Sequence, residues 1–504
     1  MKKRAFFGEY ACAVAALFTV LSGAEIALGQ QEREMDVWKA DPSDLSLAVT
    51  QVAPALAVEQ VAPTDSALTS TEQGRTTDLD QSFGDWREWR LEERRQAFKD
   101  TKFEFNLRTF YFDRSDFSGA EKQAWAIGGW VGVKTGYFLD HIAFGATLYT
   151  SNPIYAPDDR DGTTLLAPGQ NGYTILGEWY AEIRIIDNLT ISVGAKGYDT
   201  PFINRNDTRM TPNTFEAVVL QGRVKLGTSS DTADTTADSA GLSKDGKEVA
   251  APAPTPAPDV ATIKYGLGYF DKIKERNDSE FVSMAIDAGA HVERGVWAAG
   301  AVYEKGKFNI GAIDYYSQDI INIAYAQTGF EVPLATDWRL RFAGQYVDQG
   351  SLGDNELQGH SFSGHQFGIK VELPVKNALF TAAFTHAWGN ANLQNPWSGY
   401  PGYTSVQVQD FNRAGESAFL LRAGYDFAWV DGLSAYALAV FGTDPDSATQ
   451  FRQNEFDSNL QWAPTKGVLK GLSLRLRYAV VQQFGGNVNN LTDFRAICNY
   501  VIKF

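Results

Sequence analysis

Residues 472–478 read Leu-Ser-Leu-Arg-Leu-Arg-Tyr, and residues 493–504 read Asp-Phe-Arg-Ala-Ile-Cys-Asn-Tyr-Val-Ile-Lys-Phe. In the first stretch Leu472, Leu474, Leu476 and Tyr478 alternate with Ser473, Arg475 and Arg477. In the second, Phe494, Ala496, Cys498, Tyr500, Ile502 and Phe504 alternate with Asp493, Arg495, Ile497, Asn499, Val501 and Lys503. Residues i and i+2 share one face of a strand, so each stretch is a strand with a greasy face and a polar one. A soluble sandwich buries the greasy face. A membrane barrel inverts the arrangement, with lipid outside and a polar lumen inside.

The same split recurs through the chain. Phe103, Phe105 and Leu107 oppose Lys102, Glu104, Asn106 and Arg108, and similar alternation runs over 189–196 and 338–342. Segments of this kind fall near 103–113, 124–137, 142–150, 173–185, 189–197, 215–226, 262–270, 295–304 and 308–317. They continue near 321–332, 337–348, 365–374, 379–388, 417–428, 433–441, 451–463, 472–482 and 493–504. That is eighteen, the even number required of a single-chain barrel with both termini on one side, and each is close to the roughly 9–11 residues that cross a bilayer. Connections alternate: Asp187-Asn188, Ala335-Thr336 and Asp431-Gly432 read as tight turns, whereas 151–172, 271–294 and 389–416 read as long loops. The expected fold is an all-β transmembrane antiparallel barrel in a bacterial outer membrane. Its 32 Phe, 21 Tyr and 12 Trp are expected on the lipid face and at the interfaces.

What precedes the barrel reads as an address and a spacer. Lys2, Lys3 and Arg4 lead into the apolar run Ala11–Leu21 and two small-residue cleavage options, which marks 1–29 as a signal peptide. Residues 30–101 read as a flexible periplasmic leader, with QVAP at 51–54 and 60–63 and a charged helix over 85–98. That helix either lies in solvent or packs at the barrel mouth. Loss of Cys12 with the signal leaves Cys498 as the single thiol, so no internal disulfide is expected. Residues 227–261, with APAPTPAP at 251–258, read as a disordered insertion that strand parity places in the periplasm. The net charge of −16 excludes broad nucleic-acid binding. The five His (His141, His291, His360, His365 and His386) form no catalytic set with Ser or Asp, so no enzyme, cofactor or metal is expected.

Four stretches resemble the OprD-type family of substrate-specific outer-membrane porins. They are Leu107-Arg108-Thr109-Phe110-Tyr111-Phe112-Asp113-Arg114, the run Pro201–Glu216, Asp410-Phe411-Asn412-Arg413-Ala414-Gly415-Glu416, and Gly471–Arg477. The long leader and the 227–261 insertion depart from that pattern. The resemblance implies a monomeric or loosely trimeric barrel of eighteen strands with an inward-folded third loop. It also implies passive passage of small, usually carboxylate-bearing solutes along a ladder of Arg and Lys. The terminal Phe504 looks like the signal read by the barrel-assembly machinery.

Parity independently assigns Arg108, Lys134, Arg184, Lys196, Arg223, Lys225, Arg339, Arg341, Lys370, Arg422, Arg475, Arg477 and Arg495 to the lumen, since each would cost about 2–4 kcal/mol facing lipid at the midplane. Arg offers a planar fork that holds a carboxylate through two hydrogen bonds. Arg475, Arg477, Arg422 and Arg495 match the ladder best, with Arg339 and Arg341 as further rungs. Asp199, Arg205, Asp207 and Arg209 of the third loop are candidates for the constriction. Acidic lumen residues Glu178, Glu182, Asp426, Glu455 and Asp457 are expected to balance the charge on other walls. A non-selective porin or structural barrel is the alternative.

Overall fold

The structure, a computed structural model, describes residues 90–92, 94–226, 260–335, 338–486 and 489–504. The signal peptide, most of the leader, nearly all of the 227–261 insertion and Thr336 of the expected 335–336 turn lie outside the described residues.

The alternating segments form one closed antiparallel sheet. Its strands are β1 (Lys102–Ser115), β2 (Glu121–Lys134), β3 (Ile142–Tyr155), β4 (Tyr173–Ile186), β5 (Leu189–Lys196), β6 (Thr214–Leu226) and β7 (Ala261–Lys274). A two-residue strand, β8 (Val282–Ser283), pairs with the end of β7 inside a loop. The wall continues with β9 (Val296–Lys305), β10 (Phe308–Ser317), β11 (Ile321–Ala335), β12 (Trp338–Ser351), β13 (Ser363–Val375) and β14 (Ala378–Gly389). It ends with β15 (Ser417–Asp426), β16 (Leu433–Gly442), β17 (Gln453–Trp462), β18 (Leu472–Gln483) and β19 (Leu491–Lys503). Leaving β8 aside, eighteen strands pair in sequence order, and β1 closes onto β19 over Glu104↔Lys503 to Ser115↔Thr492. Closure satisfies the backbone of every strand without a free edge.

Each of the eighteen expected segments corresponds to one barrel strand. Some ends move: β3 runs to Tyr155 and β7 to Lys274, which shortens the loops after them. The Asp431-Gly432 turn is the end of a longer connection between β15 and β16. Gly432 sits at φ +75°, and a Cβ there would lie 2.0 Å from Ala463 O, so this turn needs glycine. Residues 94–99 are helical and pack at the barrel mouth. Ala97 is buried, its carbonyl accepts from Gly136 N at 2.9 Å, and Phe98 meets Phe138 edge-on at 5.4 Å.

Alternation sorts the side chains as expected. Phe103, Phe105 and Leu107 are exposed on the outer face while Asn106 and Arg108 are buried inside. The aromatics depart from expectation. Many lie in the lumen, because loops fold inward and need apolar partners. Tyr198, Phe202 and Ile203 of the third outer loop, Met284 and Ala285 of the fourth, and Trp397 and Tyr400 of the loop before β15 form one core with Phe215, Phe270, Tyr315 and Tyr325 of the wall. A smaller core joins Phe110 and Phe112 to Leu165, Leu166 and Met210. These cores fix the loops that narrow the pore.

Candidate functional site

The third outer loop connects β5 to β6 and enters the lumen. Its root is tight: a Cβ on Gly197 would lie 2.3 Å from Arg205 Nε, so glycine leaves room for that side chain. Arg205 Nη1 is 3.1 Å from Asp199 Oδ2, and both side chains stay about one-third exposed. Asp207 accepts from Arg108 Nη2 at 2.9 Å, which ties the loop to β1. Arg209 is buried: its Nε donates to Thr163 O at 2.8 Å and Thr164 Oγ1 at 2.7 Å, joining the second loop to the third. The four loop candidates thus divide into an accessible Asp199–Arg205 pair, an Asp207 anchor and an Arg209 brace.

Around Phe112 the cations gather. Arg209, Arg495 and Arg114 place their guanidinium carbons 5.0, 5.2 and 5.3 Å from the ring centroid. Burial, followed by the charges of Arg495, Arg276 and Arg114, pushes the Arg209 guanidinium pKa well down. Asp493 is the carboxylate among them, 2.7 Å from Arg495 Nε and 2.6 Å from Arg114 Nη2.

The C-terminal wall carries the four best ladder candidates. Arg477 is the direct cross-strand partner of Arg495, Arg475 lies two residues further down β18, and Arg422 stands on β15. Their partners differ. Arg495 is held by Asp493 and also donates to Gln407 O at 3.1 Å. Arg475 Nε donates to Asn459 Oδ1 at 2.6 Å. Arg477 Nη2 reaches the Tyr436 hydroxyl at 3.4 Å, and the Arg422 guanidinium lies 3.9 Å over the Tyr436 ring. Among the described residues no carboxylate lies within ion-pair distance of these last two guanidiniums, and Asp457 acts on Arg477 only at longer range. Arg339 and Arg341 stand on β12, three strands before Arg422 on β15, each 3.4 Å from Glu331.

The acids divide between the two walls. Glu182 neutralises the β2–β5 wall, with Lys134 and Lys196 Nζ each at 3.1 Å and the Tyr137 hydroxyl bonded to it. Glu455 and Asp457, however, stand on β17 beside the ladder. Glu455 accepts from Val408 N and Gln409 N at 2.8 Å each, and Asp457 accepts from Gln407 N at 3.1 Å. They seat the tip of the loop before β15 on the basic wall. That loop is fastened at its base by the Arg413–Glu416 ion pair and deeper in by Trp397 Nε1, which donates to Met284 O at 2.9 Å. In the fourth loop, burial and then Glu275 and Asp278 push the Asp287 carboxyl up to about 8.

Sequence reasoning missed Arg114, Asp493 and the seat formed by Glu455 and Asp457. Parity places Asp493 inside, but contacts from residues 407–409 are long-range and leave no local signal.

Residues 257–504 match the family model described as outer membrane porin, OprD family. No curated protein matches the sequence. Among solved structures, the chain is similar to OccK9 (OpdG) of Pseudomonas aeruginosa, with 21% identity and a TM-score of 0.67, covering 81% of this chain and 100% of that one. It is similar to OpdK of Pseudomonas aeruginosa with vanillate at 18% identity and a TM-score of 0.66, again over 81% and 100%. A BenF-like porin from Pseudomonas fluorescens Pf-5 gives 19% identity and a TM-score of 0.67 over the same shares. The C-terminal half of the chain, residues 257–504, thus matches the OprD family of outer membrane porins, and the eighteen-strand closed barrel is the fold of the similar solved porins.

Proposed function

We propose that the barrel passes small water-soluble carboxylates selectively and without energy input. In this reading Arg477, Arg475 and Arg422 pass the carboxylate along the wall, and Arg495, buried and clamped by Asp493, adds its charge behind them. Asp199, Arg205, Asp207 and Arg209 shape the narrow zone, and Arg339 and Arg341 act near the periplasmic mouth. The carrying observation is that Arg422 and Arg477 both meet Tyr436 and that no carboxylate of the described residues lies within ion-pair distance of either guanidinium. Closely spaced cations in a water-filled passage attract an anion and let it move from one to the next. OpdK, one of the similar porins, was crystallised with vanillate, itself a carboxylate.

Planar-bilayer recording of the purified porin tests the reading. Benzoate added to one side is expected to interrupt the single-channel current in a saturable way, and benzyl alcohol is not. Equal interruption by both, or by neither, would overturn selectivity in favour of a general pore.

A further inference from the structure

The helix that leads into β1 lies outside every stretch that carries the family resemblance. Residues 90–92 and 94–99 are helical, and β1 begins just beyond them at Lys102. The last turn docks on residues 135–141, the connection between β2 and β3, on the rim that short connections mark as periplasmic. Gly136 permits the contact: a Cβ there would lie 2.8 Å from Ala97 O and 2.7 Å from Asp100 Cβ. Thr101 Oγ1 donates to the same Ala97 carbonyl at 3.0 Å, and Gln96 Nε2 donates to Asp100 Oδ1 at 3.0 Å, which fixes the end of the helix on the rim.

Of these helical residues only Ala97 is buried. At about 100° per residue, Leu91 and Phe98 fall one above the other on a flank of the helix, with Arg94 on one side of them and Arg95 on the other. Gln96 falls on the far flank. Leu91 is 54% exposed and Phe98 67%, so the barrel leaves both largely uncovered. Phe98 meets Phe138 at 5.4 Å, and Phe138 meets Phe144 at 6.2 Å. Phe144 is an outward, exposed residue of β3, so a row of rings runs from the lipid-facing wall onto the helix. Phe103 and Phe504, whose backbones exchange hydrogen bonds at 3.2 and 3.0 Å, are exposed on the same rim and mark the edge of the apolar wall. A short helix with an apolar stripe between cations suits the plane where acyl chains meet headgroups: the stripe enters the hydrocarbon, and the guanidiniums reach back to phosphate.

We infer that this helix is a membrane-surface anchor: Leu91 and Phe98 enter the periplasmic leaflet beside β3, and Arg94 and Arg95 hold the phosphates of anionic phospholipid there. Continuity of the ring row with the lipid-facing wall and the charge of the two flanking Arg carry the inference, which is independent of what passes through the pore.

Fluorescence quenching from the bilayer tests the anchor. In a chain carrying Cys12→Ser and Cys498→Ser, Leu91→Cys samples the apolar stripe and Gln96→Cys samples the far flank, each labelled with bimane. The porin is placed in nanodiscs of phosphatidylethanolamine and phosphatidylglycerol that include a lipid with a nitroxide high on its acyl chain. Quenching at position 91 is expected to exceed that at position 96 several-fold. Adding Arg94→Glu and Arg95→Glu should lower quenching at 91 several-fold, and so should replacing phosphatidylglycerol by phosphatidylcholine with the original Arg residues in place. Heat-modifiable migration of every variant should stay unchanged, showing that the barrel still folds. Equal quenching at the two positions would overturn the inference. So would quenching at 91 that ignores both the Glu substitutions and the loss of phosphatidylglycerol, or shielding of 91 that arises only when a periplasmic extract is added.

Discussion

Replacing Arg422 and Arg477 together by Ala removes the two lumen cations that share Tyr436 and have no carboxylate of the described residues at ion-pair distance. Both side chains are partly exposed, so their attraction for a carboxylate is screened by pore water. A unit charge pair at about 4 Å is worth about 1 kcal/mol in bulk water and about 4 kcal/mol at an effective dielectric of about 20. Taking the wet end of that range for each rung, the double variant loses about 2 kcal/mol, or roughly 30-fold in solute affinity. Benzoate-dependent current interruption, recorded against concentration at low salt, measures this directly. At about 1 M salt the screening length falls to about 3 Å, and the difference between wild type and variant should shrink to a few-fold. Arg422→Lys with Arg477→Lys keeps the charge but not the planar fork, and should fall between the two. An unchanged benzoate affinity in the Ala variant, or an equal loss for a neutral solute, would refute the role of these rungs.

Three further outcomes are expected. Trp397→Ala removes a fully buried ring where three loops meet, at a cost of about 3–5 kcal/mol to their packing; single-channel records should become noisier and more conductive while the barrel remains heat-modifiable. Glu455→Gln with Asp457→Asn weakens three N–H acceptor contacts of about 1.5–3 kcal/mol each, so limited proteolysis should begin to cut within 405–410 and benzoate should bind more tightly beside Arg477. The Asp287 carboxyl is held up to about 8 from an ordinary 3.8, so the native loop binds this proton more tightly than the unfolded chain does. That stabilisation is complete below about pH 4 and is lost as pH rises from there through about 8, so amide-exchange protection of residues 283–290 should fall between pH 4 and 8, level off above, and become pH-independent in Asp287→Asn.

The barrel was legible because period two is a local signal. Leu472 to Tyr478 declares its two faces without any partner, and so do Phe103 to Arg108. The lumen direction of Arg475, Arg477 and Arg495 follows from the same parity, since one register step would put all of them into lipid. What parity cannot supply is pairing across the lumen. Arg495 looks equivalent to Arg477 in sequence, yet it is clamped by Asp493 and capped by Gln407 from a loop that leaves the wall far along the chain. Phe110 and Phe112 likewise read as strand aromatics, but their faces are set by Leu165, Leu166 and Met210 on inward loops.

The most direct test of the account compares gluconate with glucose, solutes of similar size that differ by a carboxylate. Their fluxes through the wild-type porin in proteoliposomes are measured at low salt and again at high salt. The account predicts gluconate flux several-fold above glucose at low salt, with the advantage lost near 1 M salt, where charges are screened beyond about 3 Å. Equal fluxes at low salt, or faster glucose, would contradict it.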